Sequence, residues 1–330
     1  MFRIFFLCLI SIGTSACDIC GCYMGITPHD DNSSIGLWYR YRMFNGYTTL
    51  NSSPNLFAFK NRIQESLLTN NGKKNISNTN TNLPKHSSQS IQSKKDYEIY
   101  QSIELRAKYF LNSKLEFNLI LPISINTQSL NGNRESIQGI GDANIIMAYH
   151  VINKMKCEGL KQRLITGLGI KIPIGNYNEK YSNGDEVDPL LETGTGSWDG
   201  IINLNYTAQV KSIGMNLNTM YKINSNNKFN EQFANGFTFF SSVFYKINTK
   251  NLSINPNFQS YFENSNGLYI NDELIEGTQM KNMLAGLGAD IYLKNISMSI
   301  SCQLPVWETK TNELLNAGRI VCGINYYLKK

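Results

Sequence analysis

Side chains that alternate between apolar and polar, residue by residue, most limit what this chain can fold into. In residues 296–304, Ile296, Met298, Ile300, Cys302 and Leu304 take turns with Ser297, Ser299, Ser301 and Gln303. A period of two places each set on its own face of a β-strand. Residues 103–111, 115–119, 213–217 and 252–258 read the same way, the first with Glu104, Arg106 and Lys108 between its apolar members. Twelve such segments stand out: 34–44, 98–111, 114–125, 141–152, 163–174, 198–210, 213–224, 236–248, 251–263, 283–293, 295–305 and 317–328. Most have the length of a tilted strand that crosses a bilayer, about 9–11 residues or slightly more. Strands of a soluble sandwich average about five or six.

The connections carry a second signal. Residues 112–113, 211–212, 249–250 and 294 make short links, 153–162 a medium one, and they alternate with the longer stretches 45–97, 126–140, 175–197, 264–282 and 306–316. Tight turns at one end and long loops at the other are the rhythm of an outer-membrane barrel. The expected fold is therefore all-β: a transmembrane, antiparallel, up-and-down β-barrel of about twelve strands over 34–330. Residues 45–97 form its long outer loop. The second half of that loop is polar and Asn-rich and has the composition of a disordered tract; residues 56–68 read either as surface loop or as a short helix over the mouth.

The start of the chain fits export. Arg3 precedes the apolar run 4–12, and Thr14-Ser15-Ala16 is a small-residue cleavage site, so residues 1–16 read as a signal peptide. No apolar run reaches the roughly 20 residues a membrane helix needs. Among structures that span lipid, only a closed barrel is left, because every backbone group must be paired there. An even strand number returns the C-terminus to the periplasm, where residues 17–33 begin. The expected place is the outer membrane of a Gram-negative bacterium, with lipid around the wall. A net charge of +6 is too mild to indicate a nucleic-acid partner.

Parity assigns the faces. A cationic side chain against mid-bilayer lipid costs about 2–4 kcal/mol, so the charged set belongs inside. That set is Arg40, Arg42, Glu104, Arg106, Lys108, Glu116, Asp142, Lys171, Lys222, Lys246, Asp290 and Arg319, with His150 and many Asn beside them. These are the candidate pore-lining residues. Basic groups outnumber acidic ones, and two readings stay open: a water-filled path for small solutes, or a barrel plugged by its own side chains, Trp38 among them.

Three local motifs carry a family likeness. Gly139-Ile140-Gly141-Asp142 opens a strand, Gly167 to Tyr177 reads GLGIKIPIGNY, and Gly194-Thr195-Gly196-Ser197-Trp198-Asp199 follows an acidic loop. In this order they resemble the transporter-like outer-membrane proteins of the MetA-pathway of phenol degradation family. The resemblance implies a porin or transporter for small compounds, without a catalytic residue or cofactor. The long Asn-rich first loop and the ending Tyr326-Tyr327-Leu328-Lys329-Lys330 depart from the usual pattern.

The cysteines admit several roles. Cys17, Cys20 and Cys22 crowd into six residues before the first strand, and Cys157 lies in a turn at the same end. An oxidising compartment allows disulfides among these four. Three thiolates also suit copper or zinc, with Cys157 or His29 as a fourth ligand, and Cys17 stands where a lipidated cysteine would. A closed accessory barrel that handles metal or docks a periplasmic partner through this segment is the alternative to a channel. Cys302 and Cys322 fall on the apolar face of neighbouring strands. Enzymatic function finds little support. The three histidines, His29, His86 and His150, form no arrangement with a serine that would make a nucleophile, and the acidic residues 178–192 lack the spacing of a calcium loop.

Overall fold

The computed structural model describes residues 32–47, 95–130, 132–155, 159–181, 184, 186–265, 267–309 and 315–328. Strands make up every regular element in them: β1 (Ser34–Tyr47), β2 (Lys95–Phe110), β3 (Leu115–Leu130), β4 (Asn133–Ile140), β5 (Ala143–Asn153), β6 (Leu160–Ile172), β7 (Asp199–Val210), β8 (Ile213–Ile223), β9 (Glu231–Phe233), β10 (Gly236–Tyr245), β11 (Ile247–Asn248), β12 (Leu252–Ser265), β13 (Leu268–Ile270), β14 (Glu273–Leu274), β15 (Met280–Leu293), β16 (Ile296–Glu308) and β17 (Leu315–Tyr327). Twelve of them form a closed antiparallel barrel in the order β1-β2-β3-β5-β6-β7-β8-β10-β12-β15-β16-β17. β17 pairs back onto β1, with Arg42 opposite Arg319 and Arg40 opposite Val321, so no edge is left open.

The twelve alternating segments of the sequence are these twelve strands. Two-residue turns join β7 to β8 and β15 to β16, and they hold Lys211 and Lys294 at positive φ, as hairpins this tight require. The stretch 126–140 differs from expectation. It is not a loop: β3 runs on to Leu130, and β4 folds back along it from Asn133. β4 and β5 are one strand broken at Gly141-Asp142. Between the pairs Ile123–Ile140 and Ile120–Asn144, β3 has two residues and its partner has three. That extra residue is a bulge, and it switches which parity faces inward. Odd-numbered Ile137 is buried on β4, whereas even-numbered Asn144, Ile146, Ala148 and His150 are buried on β5.

Burial alternates around the wall. Leu37, Leu105, Leu168, Phe258, Leu287 and Ile300 are exposed, Leu287 by 69%, while their neighbours in sequence point in and are covered. An exposed apolar wall is what lipid requires and water disfavours. The interior is polar, with a small cluster of Ile120, Ile146, Ile201 and Met220 on one side and another of Phe240, Tyr261 and Leu284. At the end opposite the termini, β9, β13 and β14 form a separate small sheet, joining the connection after β8 to the one after β12.

Leu287 lies midway along β15. Leu287→Arg is expected to destabilise the barrel by about 2–4 kcal/mol, read from urea titration of folding into lipid vesicles. Arg at the solvent-exposed turn position Lys294 should leave the transition within about 0.5 kcal/mol of the parent.

Candidate functional site

Closure of an alternating sheet gathers one side-chain set inside, and contacts between strands that are not neighbours prove the point. Arg42 on β1 forms an ion pair with Glu263 on β12, and the Arg319 guanidinium of β17 lies 4.4 Å from the ring centre of Tyr261, also on β12. Gln303 of β16 donates to Gln259 of β12 at 2.7 Å. These bonds reach past intervening strands and run through the lumen.

Of the candidate lining residues, Arg40, Arg42, Glu104, Glu116, Asp142, Lys171, Lys222 and Arg319 are buried. Arg106, Lys108, Lys246 and Asp290 are half-buried. Lys246 stands in the one-residue break between β10 and β11, which pair with β12 in a single register. Glu104 takes two guanidinium groups, Arg40 on one oxygen and Arg106 on the other. Arg106 also lies 4.5 Å over Trp38, whose indole N–H donates to Asn325 at 2.9 Å. Trp38 packs flat against Gly323: a Cβ there would fall 2.3 Å from Cδ2 of the indole. At the terminus end, His150 Nε2 is 3.0 Å from Glu116 Oε2, which shares its carboxylate with Asn118. Asp290 accepts from Ser299 at 2.6 Å and Asn257 at 3.1 Å. Beyond Asp199 and Lys222 at its loop end, the wall of β7 and β8 carries amides: Asn216 donates to Asn205 and Thr207, and Asn203 to the carbonyl of Thr219.

The Gly-rich motifs converge on one carboxylate at the loop end. Asp142, in the bulge, accepts from the backbone N–H of Gly175 at 3.0 Å and of Thr195 at 2.9 Å, and from the Thr195 hydroxyl at 3.0 Å. Lys171 reaches both Asp142 and Asp199, so it ties β6 to β7 through the mouth. Asp199 in turn accepts from Ser197 and from the backbone of Ser225. Gly175 and Gly194 touch backbone to backbone: a Cβ on either would lie 2.8 Å from a main-chain atom of the other. The motif glycines are therefore packing requirements around Asp142. With both ends pinned, the segment 173–198 lays Val187 and Leu191 onto Tyr100 and Ile137.

Charge is costly in that segment. Burial pushes the Asp188 carboxyl up to about 6. Burial, followed in effect by the nearby Glu231 and Glu179, pushes Glu192 up to about 8, against the backbone N–H groups of Asn178 and Glu179 that hold its charged form. Tyr177 is raised as well, chiefly by burial and by its hydrogen bond to Glu231.

Parity also identifies members that the first reading passed over. Glu263 continues the inward series of Asn255, Asn257 and Gln259, Arg163 shares the odd numbering of Lys171, and Asp199 that of Asn203; all three are buried. Cys17, Cys20, Cys22, Cys157, His29 and His86 lie outside the described residues. Among the described residues no three His, Cys, Asp or Glu side chains come together as a metal site. Cys302 and Cys322 are free thiols on the outer wall, each opposite an isoleucine, Ile320 and Ile300.

With this geometry in place, the family profile described as "Putative MetA-pathway of phenol degradation" matches residues 71–317. The chain belongs to this family. Among solved structures it is similar to the COG4313 outer membrane channel from Pseudomonas putida F1, with a TM-score of 0.58 at 11% identity over 92% of this chain and 100% of that one. It also aligns with the beta domain of the Bordetella autotransporter BrkA, at a TM-score of 0.43 and 8% identity over 90% of this chain and 100% of that one. No curated protein matches the sequence. The first likeness places the fold among outer-membrane barrels.

Two outcomes test the mouth. Gly175→Ala should force Gly175 and Gly194 apart at a cost of about 1–3 kcal/mol and speed amide exchange in residues 176–194. Docking of this segment takes up protons, because the Asp188 and Glu192 carboxyls are raised when buried; it is fully supported near pH 4 and weakens as pH rises to about 8. Hydrogen exchange corrected for its intrinsic pH dependence should show protection falling across that window. Glu192→Gln should flatten most of the slope.

Proposed function

We propose that the protein is an outer-membrane channel that passes small solutes through the lumen of its barrel, with both termini on the periplasmic side. The observation that carries this reading is the kind of interior the closed wall encloses. Amides around the lumen keep polar atoms without a protein partner: Oδ1 of Asn144 on β5, of Asn203 and Asn216 on β7 and β8 and of Asn255 on β12, and Nδ2 of Asn218 on β8. A barrel built to be sealed would be expected to satisfy such groups, since each unpaired buried polar group costs about 1–3 kcal/mol. In the structure these atoms are covered, so water satisfies them only as the lining side chains part along a solute path, and bonds already incomplete make that parting less costly. Family membership and the likeness to a barrel described as a channel support the same reading.

On this reading the path is lined by Arg40, Arg42, Glu104, Arg106, Lys108, Glu116, Asp142, Lys171, Lys222, Asp290 and Arg319, with Lys246 at the terminus end. Cations outnumber carboxylates among them, which favours anions over cations of equal size. The docked segment 173–198 narrows the mouth.

Planar-bilayer recording decides the question. Purified protein should give discrete conductance steps, with a reversal potential in a salt gradient displaced toward that of the anion. Liposomes carrying it should swell in small sugars or amino acids. A bilayer that stays silent with folded protein inserted, together with liposomes that do not swell, would refute the proposal.

A further inference from the structure

Among the described residues, the lumen guanidinium of Arg319 takes part in none of the ion pairs. Arg40 and Arg106 share Glu104, and Arg42 has Glu263. Arg319 is only 5% exposed, yet no carboxylate of the described residues lies within ion-pair distance of it, and its Nε has no hydrogen-bond partner. It faces Arg42 directly across the β1–β17 ladder, a like-charge pairing that destabilises a sheet. Gln303 is its partner on the other side, and the ring of Tyr261 covers one face of the guanidinium. Asn316, three residues earlier on the same strand, is buried too, with an Nδ2 donor that no protein atom accepts.

We propose that Arg319 and Asn316 form a binding site for a small organic carboxylate inside the barrel. The inference rests on the channel reading and names the solute class. A buried cation with no carboxylate in direct contact is costly unless an anion joins it; Glu263 acts on Arg319 only from a distance while it pairs with Arg42, and Arg42 opposite adds to the positive field. Tyr261 blocks one flat face of the guanidinium, so the ligand meets its edge. That edge presents parallel N–H donors in a plane, and a planar carboxylate accepts two of them at once. A bulge at Ala317 keeps Asn316 on the inward face with Arg319, opposite Phe44 where Arg319 is opposite Arg42, and its amide supplies a neutral donor there.

The test uses the full chain, purified from outer membranes in detergent. Calorimetric titrations with sodium acetate, sodium hexanoate and sodium phosphate at constant ionic strength are compared for the parent, Arg319→Gln and Arg319→Lys. The parent should bind both carboxylates. Arg319→Gln should weaken them by roughly 10–100-fold, the value of a charge-assisted pair, and Arg319→Lys, which keeps charge but not the fork, should fall between. Gln removes an uncompensated charge, so the variant should fold; barrel migration in unheated gels checks this. Unchanged carboxylate affinity in Arg319→Gln overturns the proposal, and so does phosphate binding where neither carboxylate binds. Conductance on the same preparations separates the two readings. Arg319-dependent binding without conductance upholds the site and refutes the channel, whereas conductance without such binding upholds the channel and refutes the site.

Discussion

The pairing of β17 with β1 is the contact on which everything else depends. In lipid no water is present to satisfy a backbone N–H or C=O, so a sheet can span only if its first and last strands meet. Once the ring closes, each strand has one face toward lipid and one toward the lumen, and the register is no longer free. A slip of one residue in β1 would turn Arg40 and Arg42 outward and Leu37 inward. The cost falls on two arginines at once, so closure and charge placement reinforce each other. The cross-lumen pair of Arg42 and Glu263 then fixes β1 against β12, with three strands between them around the ring.

Strict alternation has one planned break. A strand that kept its parity throughout β4 and β5 would send Asp142 or Ile137 to the wrong face. The bulge at Gly141-Asp142 lets both point inward, Ile137 to meet Leu191 and Asp142 to collect the N–H groups of Gly175 and Thr195. A carboxylate held by backbone donors, a hydroxyl and Lys171 serves as a peg for a loop that would otherwise swing free. The Gly-rich motifs are, in this chain, the hardware of that peg. Their conformational demands come from the close approach of Gly175 and Gly194, with no phosphate or nucleotide involved.

All twelve wall strands were legible from alternation and loop length, because both follow from lipid and from hairpin connectivity, which act locally on the sequence. β4 was hidden for the same reason: its bulge reverses the parity that a reader follows, and Asn133, Arg134 and Glu135 at its start look like loop. β9, β13 and β14 are two or three residues long and exist only because two loops meet, so no window of sequence contains their signal. Glu263 was readable in principle. The series Asn255, Asn257, Gln259 points to it, but an acidic residue at the end of a strand looks like the beginning of a loop until its partner Arg42 is known to lie across the lumen. The roles of the glycines could not be separated either. Gly323 beneath Trp38 and Gly194 against Gly175 have the same local appearance, and only the long-range contact distinguishes a seat for an indole from a backbone crossing.

The interior combines two demands that pull against each other. A narrow barrel is stable when its inner side chains bond to one another, as Glu104 does with Arg40 and Arg106, and each such bond spends a charge that a solute would otherwise feel. A channel must leave some groups unspent. Both kinds are present around this ring. Ion pairs brace β1, β2 and β12 through Glu104 and Glu263, β3 and β5 through Glu116, and the loop end of β6 and β7 through Lys171, while the amides between them on β7 and β8 make weaker, partly incomplete bonds. Arg319 is held in place by the ring of Tyr261 rather than by a carboxylate. Packing on an aromatic face positions a cation without neutralising it. That arrangement separates a side chain that braces from one that remains available to a ligand.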